Sequence, residues 1–161
     1  MQASLRAMSG GTTHGSGAAR GSGTAHGSGT AHGSGGCLCG AVRYEVDGPL
    51  RDVVICHCSR CLRTHGHAAA YSACAAADLT LVRDDGLRWY EADGRARGFC
   101  ARCGASIFWS RREGDTMSLA AGTLDQPTGL RTVAHIHTRD HADYYEIAGP
   151  GERHPGALPA R

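Results

Sequence analysis

Three cysteine clusters constrain this chain more than any other feature of its sequence. They are Cys37-Leu-Cys39, Cys56-His-Cys-Ser-Arg-Cys61 and Cys100-Ala-Arg-Cys103, and together they hold seven of the eight cysteines. Thiolates one or two residues apart converge easily on a metal ion from a tight turn, whereas residues this close rarely reach the geometry of a disulfide. The pattern therefore predicts a zinc protein.

The spacing within the two outer clusters predicts a closed structural zinc site. Cys37 and Cys39 fall on the same face of an extended segment, because side chains there repeat every two residues. Cys100 and Cys103, followed by Gly104, are typical of a turn whose backbone N–H groups hydrogen-bond the sulfurs. Four thiolates from distant parts of the chain would close a long loop, which is what a structural metal does in a domain with a small core.

The middle cluster supplies only three ligands to a second zinc, namely Cys56, Cys58 and Cys61. Three protein ligands with a fourth position open to water, a substrate thiol or a nearby histidine are typical of a catalytic zinc. His65 and His67 follow the cluster directly. Either could reach the open position or act as an acid/base, and both could equally be ordinary exposed loop histidines.

Four other residues with metal-binding side chains have simpler interpretations. His57 lies between two predicted ligands, so an extended segment would point its side chain away from the metal and into the fold. His135 and His137 would share one face of a strand, as part of a cleft wall or of plain surface. Cys74 stands alone in a predicted strand and is interpreted as a small buried apolar residue.

Residues 1–35 are predicted to be a disordered tail of low complexity. Eleven of the chain's 24 glycines lie in the first 36 residues, where Gly-Ser-Gly recurs at residues 15, 21, 27 and 33. Such a segment cannot join a core, so the rest of the chain should fold without it. We interpret the tail histidines His14, His26 and His32 as solvated positions of the repeat, with a loose metal store as the alternative.

Residues 36–149 are predicted to form one small all-β domain, followed by a flexible C-terminus over residues 150–161. Short alternating or apolar segments separated by turn signals predict strands. The predicted strands cover residues 41–46, 53–55, 69–73, 79–83, 87–91, 106–110, 117–121 and 132–138. Helix is expected only over about one or two turns, near residues 59–64 and 75–78, because no long segment has a helical apolar stripe. We therefore expect short antiparallel strands stabilised by zinc.

Charge and hydropathy limit the partners and the compartment. Arg6 and Arg20 lie in the tail and all 15 acidic residues lie beyond it, so the folded part has no net basic charge before zinc is counted. This balance argues against a nucleic-acid-binding surface, including that of a zinc ribbon. No segment has the apolar length of a signal peptide or a membrane span. We therefore expect a cytoplasmic protein with reduced cysteines and no membrane partner.

Four motifs in order resemble the glutathione-dependent formaldehyde-activating enzyme family. They are Gly36-Cys-Leu-Cys-Gly-Ala-Val-Arg-Tyr44, Cys56-His-Cys-Ser-Arg-Cys61 with Gly66 shortly after, Gly98-Phe-Cys-Ala-Arg-Cys-Gly104 and Asp143-Tyr-Tyr-Glu-Ile147. The resemblance covers about 110 residues, and several spaced motifs are more specific than any one of them. It implies a β-tent fold with two zinc sites, whose ligands coincide with the structural and catalytic sets expected from spacing.

The resemblance also implies a reaction class, the making or breaking of a carbon–sulfur bond between a thiol and formaldehyde. We therefore expect a carbon–sulfur lyase of the S-(hydroxymethyl)glutathione synthase type, acting on adducts of glutathione or a similar small thiol. Arg60 and Arg63 flank Cys61 and could bind the carboxylates of glutathione, although either could also be solvated or paired with an acid. The alternative is a non-catalytic binding module stabilised by zinc, since a fold does not determine function.

Overall fold

The structure, a computed structural model, describes residues 32–159, which form two β-sheets and one short α-helix. The strands are β1 His32–Gly36, β2 Arg43–Asp47, β3 Arg51–Cys56, β4 Ala69–Ala75, β5 Leu79–Arg83, β6 Leu87–Ala92, β7 Arg95–Cys100, β8 Ser106–Arg111, β9 Thr116–Ala120, β10 Thr132–Ile136 and β11 Glu152–Arg153. Helix α1 spans Ser59–His65, and single 3-10 turns span Ala76–Asp78, Ala121–Thr123 and Thr138–Asp140. The prediction of an all-β domain is confirmed.

The two sheets enclose the core between them. Three strands form the small sheet in the order β1-β2-β5, and the other eight form the large sheet in the order β11-β10-β3-β4-β9-β8-β7-β6. Tyr44 of β2 meets Phe108 of β8 edge-on, with ring centroids 5.2 Å apart. Both side chains are fully buried together with Leu119 of β9, so one face of the large sheet packs on the small sheet. The opposite face of the large sheet does not pack on the small sheet, and we call it the free face.

Strand β10 corrects the expectation that all strands pair antiparallel. It pairs in parallel with β3 on one side and with β11 on the other, whereas the remaining pairs of strands are antiparallel. A parallel pair needs a long crossover connection. Strands β4 to β9 lie between β3 and β10 in the sequence and form this connection, so no additional crossover helix is needed.

The predicted start of the folded domain is also corrected, because residues 32–35 belong to a strand. Strand β1 pairs with β2 from His32 opposite Asp47 to Gly36 opposite Arg43. Asp125 secures its other side: its backbone N–H donates to the Ser34 carbonyl over 2.9 Å, and its carboxylate accepts from the Ser34 hydroxyl over 2.6 Å. The sequence did not predict this strand, because residues 32–35 have the same composition as the Gly-Ser-Gly repeat of the tail. His14 and His26 lie outside the described residues.

Glycine at position 35 is required by close packing, which leads to a testable expectation. A Cβ atom there would collide with the Thr123 carbonyl oxygen and the Tyr44 hydroxyl, whereas a Cβ at Gly122 would meet nothing within 4 Å. We expect Gly35→Ala to lower the free energy of unfolding by about 1–3 kcal/mol, as overpacking does. Chemical denaturation with zinc present measures this change in the free energy of unfolding, and Gly122→Ala is the matched control. Equal stability of the two variants would show that β1 is not docked as described.

The predicted flexible C-terminus is likewise corrected over residues 152–156. Strand β11 extends the large sheet beyond β10, and the His154 N–H donates to the His135 carbonyl over 2.8 Å. The N–H of His137 donates to the Gly156 carbonyl over 2.7 Å. Without this segment, β10 would be an edge strand with unpaired backbone groups, so pairing it satisfies those groups.

Candidate metal centres and the cavity beside them

The four outer cysteines come together in one cluster that could hold a metal ion. The Sγ atoms of Cys37, Cys39, Cys100 and Cys103 all lie within 4.8 Å of one another. The Cys37 and Cys39 sulfurs are 3.6 Å apart, and those of Cys39 and Cys100 are 3.8 Å apart. The cluster therefore brings together the residues that spacing had grouped, and it connects a turn beside the small sheet with a turn at the end of β7.

Two tight turns position these four sulfurs. The first follows β1, where the Gly40 N–H donates to the Cys37 carbonyl and Gly40 has a left-handed φ of 74°. Its Val42 N–H donates to the Cys37 sulfur over 3.2 Å. The second follows β7, where the Gly104 N–H donates to the Cys100 carbonyl over 2.8 Å. Backbone donors aimed at sulfur favour thiolates, which are the form that binds metals.

The middle cluster brings together three thiols at the start of α1. Cys56 ends β3, Cys58 is the N-cap residue of α1 and Cys61 lies within α1. Their Sγ atoms lie within 4.8 Å of one another. The hydrogen bond from the Cys61 thiol lowers the pKa of Cys56 to about 6, and the same contact raises the pKa of Cys61. The cluster thus favours at least one thiolate at neutral pH.

No fourth ligand joins this middle cluster within residues 32–159. The group contains only its three cysteines when His, Cys, Asp and Glu side chains are considered. His65 instead lies 2.9 Å from the Tyr71 hydroxyl, and His67 lies 3.0 Å from the Tyr144 hydroxyl. Cys74 is buried in the core, where burial raises the pKa of its thiol to about 11. The interpretation of Cys74 as a small buried residue is therefore confirmed.

His57 belongs to a buried hydrogen-bonded chain behind the middle cluster, so the expectation that it packs into the fold is confirmed. His57 Nδ1 lies 2.8 Å from the Tyr145 hydroxyl, and its Nε2 lies 3.0 Å from His135 Nδ1. His135 Nε2 lies 3.1 Å from the carbonyl of Pro150. That carbonyl can only accept, so in neutral rings both histidines carry their proton on Nε2 and Tyr145 donates to His57. Burial, together with repulsion from His135 whenever that ring is protonated, lowers the pKa of His57 to about 4, so His57 is neutral at pH 7.

The free face of the large sheet forms one wall of a cavity of about 430 Å³ beside the middle cluster. Trp109 of β8 stands opposite Arg97 of β7 and Ser118 of β9, so these three side chains share that face. The lining includes Cys56, Cys58 and Cys61, five arginines (Arg51, Arg60, Arg95, Arg97 and Arg111) and a single acid, Asp140. The cavity is therefore strongly positive and opens directly on the three thiols.

Two further polar side chains line this cavity: Tyr71, which the sequence did not indicate, and His137, which was expected in a cleft wall or on plain surface. Tyr71 of β4 lines it, and burial raises the pKa of its hydroxyl, which stays a hydrogen-bond donor. His137 lies just beyond β10, and its Nδ1 is 3.6 Å from an Asp140 carboxylate oxygen. Its left-handed φ of 54° breaks the strand alternation. His137 therefore forms part of the cleft wall, whereas His135, which was expected on the same face, is buried.

The two arginines that the sequence placed beside the middle cluster differ in whether they line the cavity. Arg60 donates to Asp93 over 2.9 Å and lines the cavity, whereas Arg63 does not line it. The signal that could have revealed the others was the pair Arg95-x-Arg97, because residues two apart share a strand face. It was missed because β7 has the sequence Arg-Ala-Arg-Gly-Phe-Cys, which is poor in strand-favouring residues.

The fold and the site define a class of small two-sheet β proteins with two cysteine clusters, of four and three thiols, that could hold metal ions. Comparison with known proteins identifies the family. The sequence matches the family model described as glutathione-dependent formaldehyde-activating enzyme over residues 32–140. The chain belongs to this family, as the resemblance of its motifs indicated.

Two other comparisons complete these findings. No curated protein matches the chain. Among solved structures, the chain is similar to a crystal structure of a Rhodobacter sphaeroides protein, with 30% identity, a TM-score of 0.48 and coverage of 60% of this chain and 91% of that one. Within residues 32–159, no helix has the length and apolar character needed to cross a membrane.

Proposed function

We propose that the chain is a zinc-dependent carbon–sulfur lyase that makes or breaks the adduct of a small thiol with formaldehyde or a similar aldehyde. The observation that carries the proposal is the three-thiol cluster facing a positive cavity, within a chain of this family. Glutathione is the thiol to test first, because it is the one in the family's description. Reduced, closely spaced thiols also favour a cytoplasmic location.

Zinc is the metal we propose for both clusters, because the donor set and its dimensions suit it. Zinc prefers thiolates at about 2.3 Å in a tetrahedron, whose edge is then about 3.8 Å. The sulfur separations of 3.6 and 3.8 Å in the outer cluster agree with that edge. We assign the outer cluster to a structural zinc, and Cys56, Cys58 and Cys61 to a catalytic zinc with one open position.

The chain's own residues would bind the substrate and move its proton. A zinc ion at the three-thiol site would supply a Lewis acid that favours the thiolate form of a substrate thiol. Arg60 and the other cavity arginines would attract the acidic groups of that thiol. Adduct cleavage leaves the carbon–sulfur electron pair on sulfur and releases the hydroxyl proton, and synthesis is the reverse.

We assign the transfer of that proton to His137. Histidine is the commonest side chain in this role. Asp140, 3.6 Å from His137 Nδ1, would orient the ring and leave Nε2 available to the cavity. The raised pKa of Tyr71 keeps its hydroxyl protonated, and when His65 Nε2 donates to that hydroxyl, the hydroxyl can itself donate to the aldehyde oxygen.

The proposal is tested first by metal content and coordination. The whole chain, purified without oxygen, should bind two zinc ions, and X-ray absorption should detect a fourth sulfur at one of them when glutathione is added. Exchange NMR should then show faster interconversion of formaldehyde and its glutathione adduct than without protein. Two zinc ions indifferent to thiols, together with no acceleration, would contradict the lyase and favour a zinc-stabilised binding module.

A further inference from the structure

Three arginines on the free face of the large sheet lie side by side in an arrangement that the fold alone does not favour. Arg95 of β7 is paired directly with Arg111 of β8 across the two antiparallel strands. Arg97 lies two residues along the same strand, on the same face, opposite Trp109. Like charges placed directly opposite each other destabilise a sheet. A negatively charged ligand would compensate for the repulsion between Arg95 and Arg111.

Protein carboxylates do not supply this compensation. Among the described residues, the arginines with a carboxylate within 4.0 Å are Arg43, Arg60 and Arg112. Arg95 donates to the backbone carbonyl of Asp93 instead. The one acid in the cavity lining, Asp140, pairs with His137. The three neighbouring guanidinium groups thus keep about three positive charges available to something outside the chain.

The same cavity connects these arginines with the three thiols. Arg95, Arg97 and Arg111 line it together with Cys56, Cys58 and Cys61. Tyr71 lines the same cavity as both groups. A small molecule held by its sulfur at the thiols could therefore place its other end among the arginines.

We infer that Arg95, Arg97 and Arg111 form a subsite for a doubly charged anionic group of the thiol substrate, either a phosphate monoester or two neighbouring carboxylates. Guanidinium groups bind such groups by paired, charge-assisted hydrogen bonds. The inference rests on the proposed function for the identity of the bound molecule as a thiol, but not for the anion site itself. It adds a specificity determinant, because a single carboxylate beside an ammonium group would leave most of this charge uncompensated.

The anion site can be tested with inorganic pyrophosphate as the probe, independently of any catalysis. On the whole zinc-loaded chain, calorimetry at low salt should detect pyrophosphate binding, and Arg111→Gln and Arg95→Gln should each weaken it about tenfold or more. Arg88→Gln is the matched control, since Arg88 is an exposed arginine of the adjacent strand β6 outside the cavity. Absence of saturable binding, or equal loss in all three variants, would overturn the inference.

Thermal unfolding adds a readout that a merely structural arginine would not give. Removing one member of the pair relieves repulsion, so Arg111→Gln should raise the melting temperature of the ligand-free protein and reduce its further rise with pyrophosphate. A structural role predicts the opposite, a lower melting temperature. If Arg111→Gln lowered the melting temperature and left the pyrophosphate response unchanged, the three arginines would not form an anion site.

Pairs of thiols that differ in their anionic group show, in the exchange assay, which anionic group the subsite prefers. 4′-Phosphopantetheine against pantetheine tests phosphate, and mercaptosuccinate against 2-mercaptoethanol tests paired carboxylates. We expect one charged member of these pairs to have a KM at least about tenfold below its neutral counterpart, and Arg111→Gln to remove that difference. Equal KM values within both pairs would overturn the inference, whereas absence of turnover with every thiol, despite pyrophosphate binding, would contradict the proposed function alone.

Discussion

Replacing Cys100 with serine is expected to abolish the folded domain. Cys100 is completely buried, and its sulfur is 3.8 Å from that of Cys39 in the four-thiol cluster that connects the turn after β1 with the turn after β7. Zinc binding to such sites contributes about 10–16 kcal/mol of folding free energy in small zinc peptides. That contribution is of the same size as the whole stability of a typical domain, about 5–15 kcal/mol.

The expected result can be measured by near-ultraviolet circular dichroism and by dispersion of the amide NMR spectrum. Both should resemble those of an unfolded chain in Cys100→Ser, and the same change should follow when a strong chelator removes zinc from the wild-type protein. Cys74→Ala is the control, because Cys74 is equally a buried cysteine but lies outside both clusters. A cooperative, zinc-independent unfolding transition in Cys100→Ser would rule out a structural metal at this cluster.

Replacing Cys58 with serine is expected to remove the second zinc and the activity while preserving the fold. Cys58 is the N-cap residue of α1, has extended backbone angles and makes no side-chain capping hydrogen bond. Serine is among the best N-cap residues, so the helix should tolerate or even gain from the change. Removing a residue that supports a metal ligand can lower metal affinity or activity by about a hundredfold. Removing the ligand itself should lower them by at least as much.

Metal analysis and exchange NMR on the same sample measure this effect. Cys58→Ser should hold one zinc ion instead of two, accelerate adduct exchange at least about a hundredfold less than wild type and unfold at a similar temperature. Thr64→Ala in the last turn of the same helix serves as the control, because its hydroxyl donates to the Arg60 carbonyl and does not line the cavity. Undiminished activity in Cys58→Ser would show that chemistry does not depend on the middle cluster.

Sequence reasoning predicted most strands because local pattern carried the necessary information. Strand β5 has the predicted bounds, and the ends of β8 and β9 differ from prediction by one residue. Strands β1 and β7 were missed because they are rich in glycine and arginine, and their strand conformation depends on partners distant in sequence. Strand β11 has only two residues and exists because β10 offers an unpaired edge.

The same division applies to the candidate site. The spacing of the clustered cysteines indicates candidate metal ligands, and the structure brings these cysteines together in the two predicted groups. The cavity depends instead on which side chains meet across strands. Arg111 stands opposite Arg95 only because of the register of β7 and β8, and His137 reaches the cavity only because its backbone is left-handed. Neither register nor a single unusual dihedral angle can be derived from local composition.

The parallel strand β10 also has a consequence for synthesis on the ribosome. β3 is complete at residue 56, but its second partner, β10, begins only at Thr132. While the intervening chain is being made, one edge of β3, with Val53, Val54 and Ile55, has no partner in the nascent polypeptide. Unpaired apolar edges promote aggregation. Residues 132–153 therefore complete the sheet, and nascent chains that have not yet reached them should be the most dependent on chaperones.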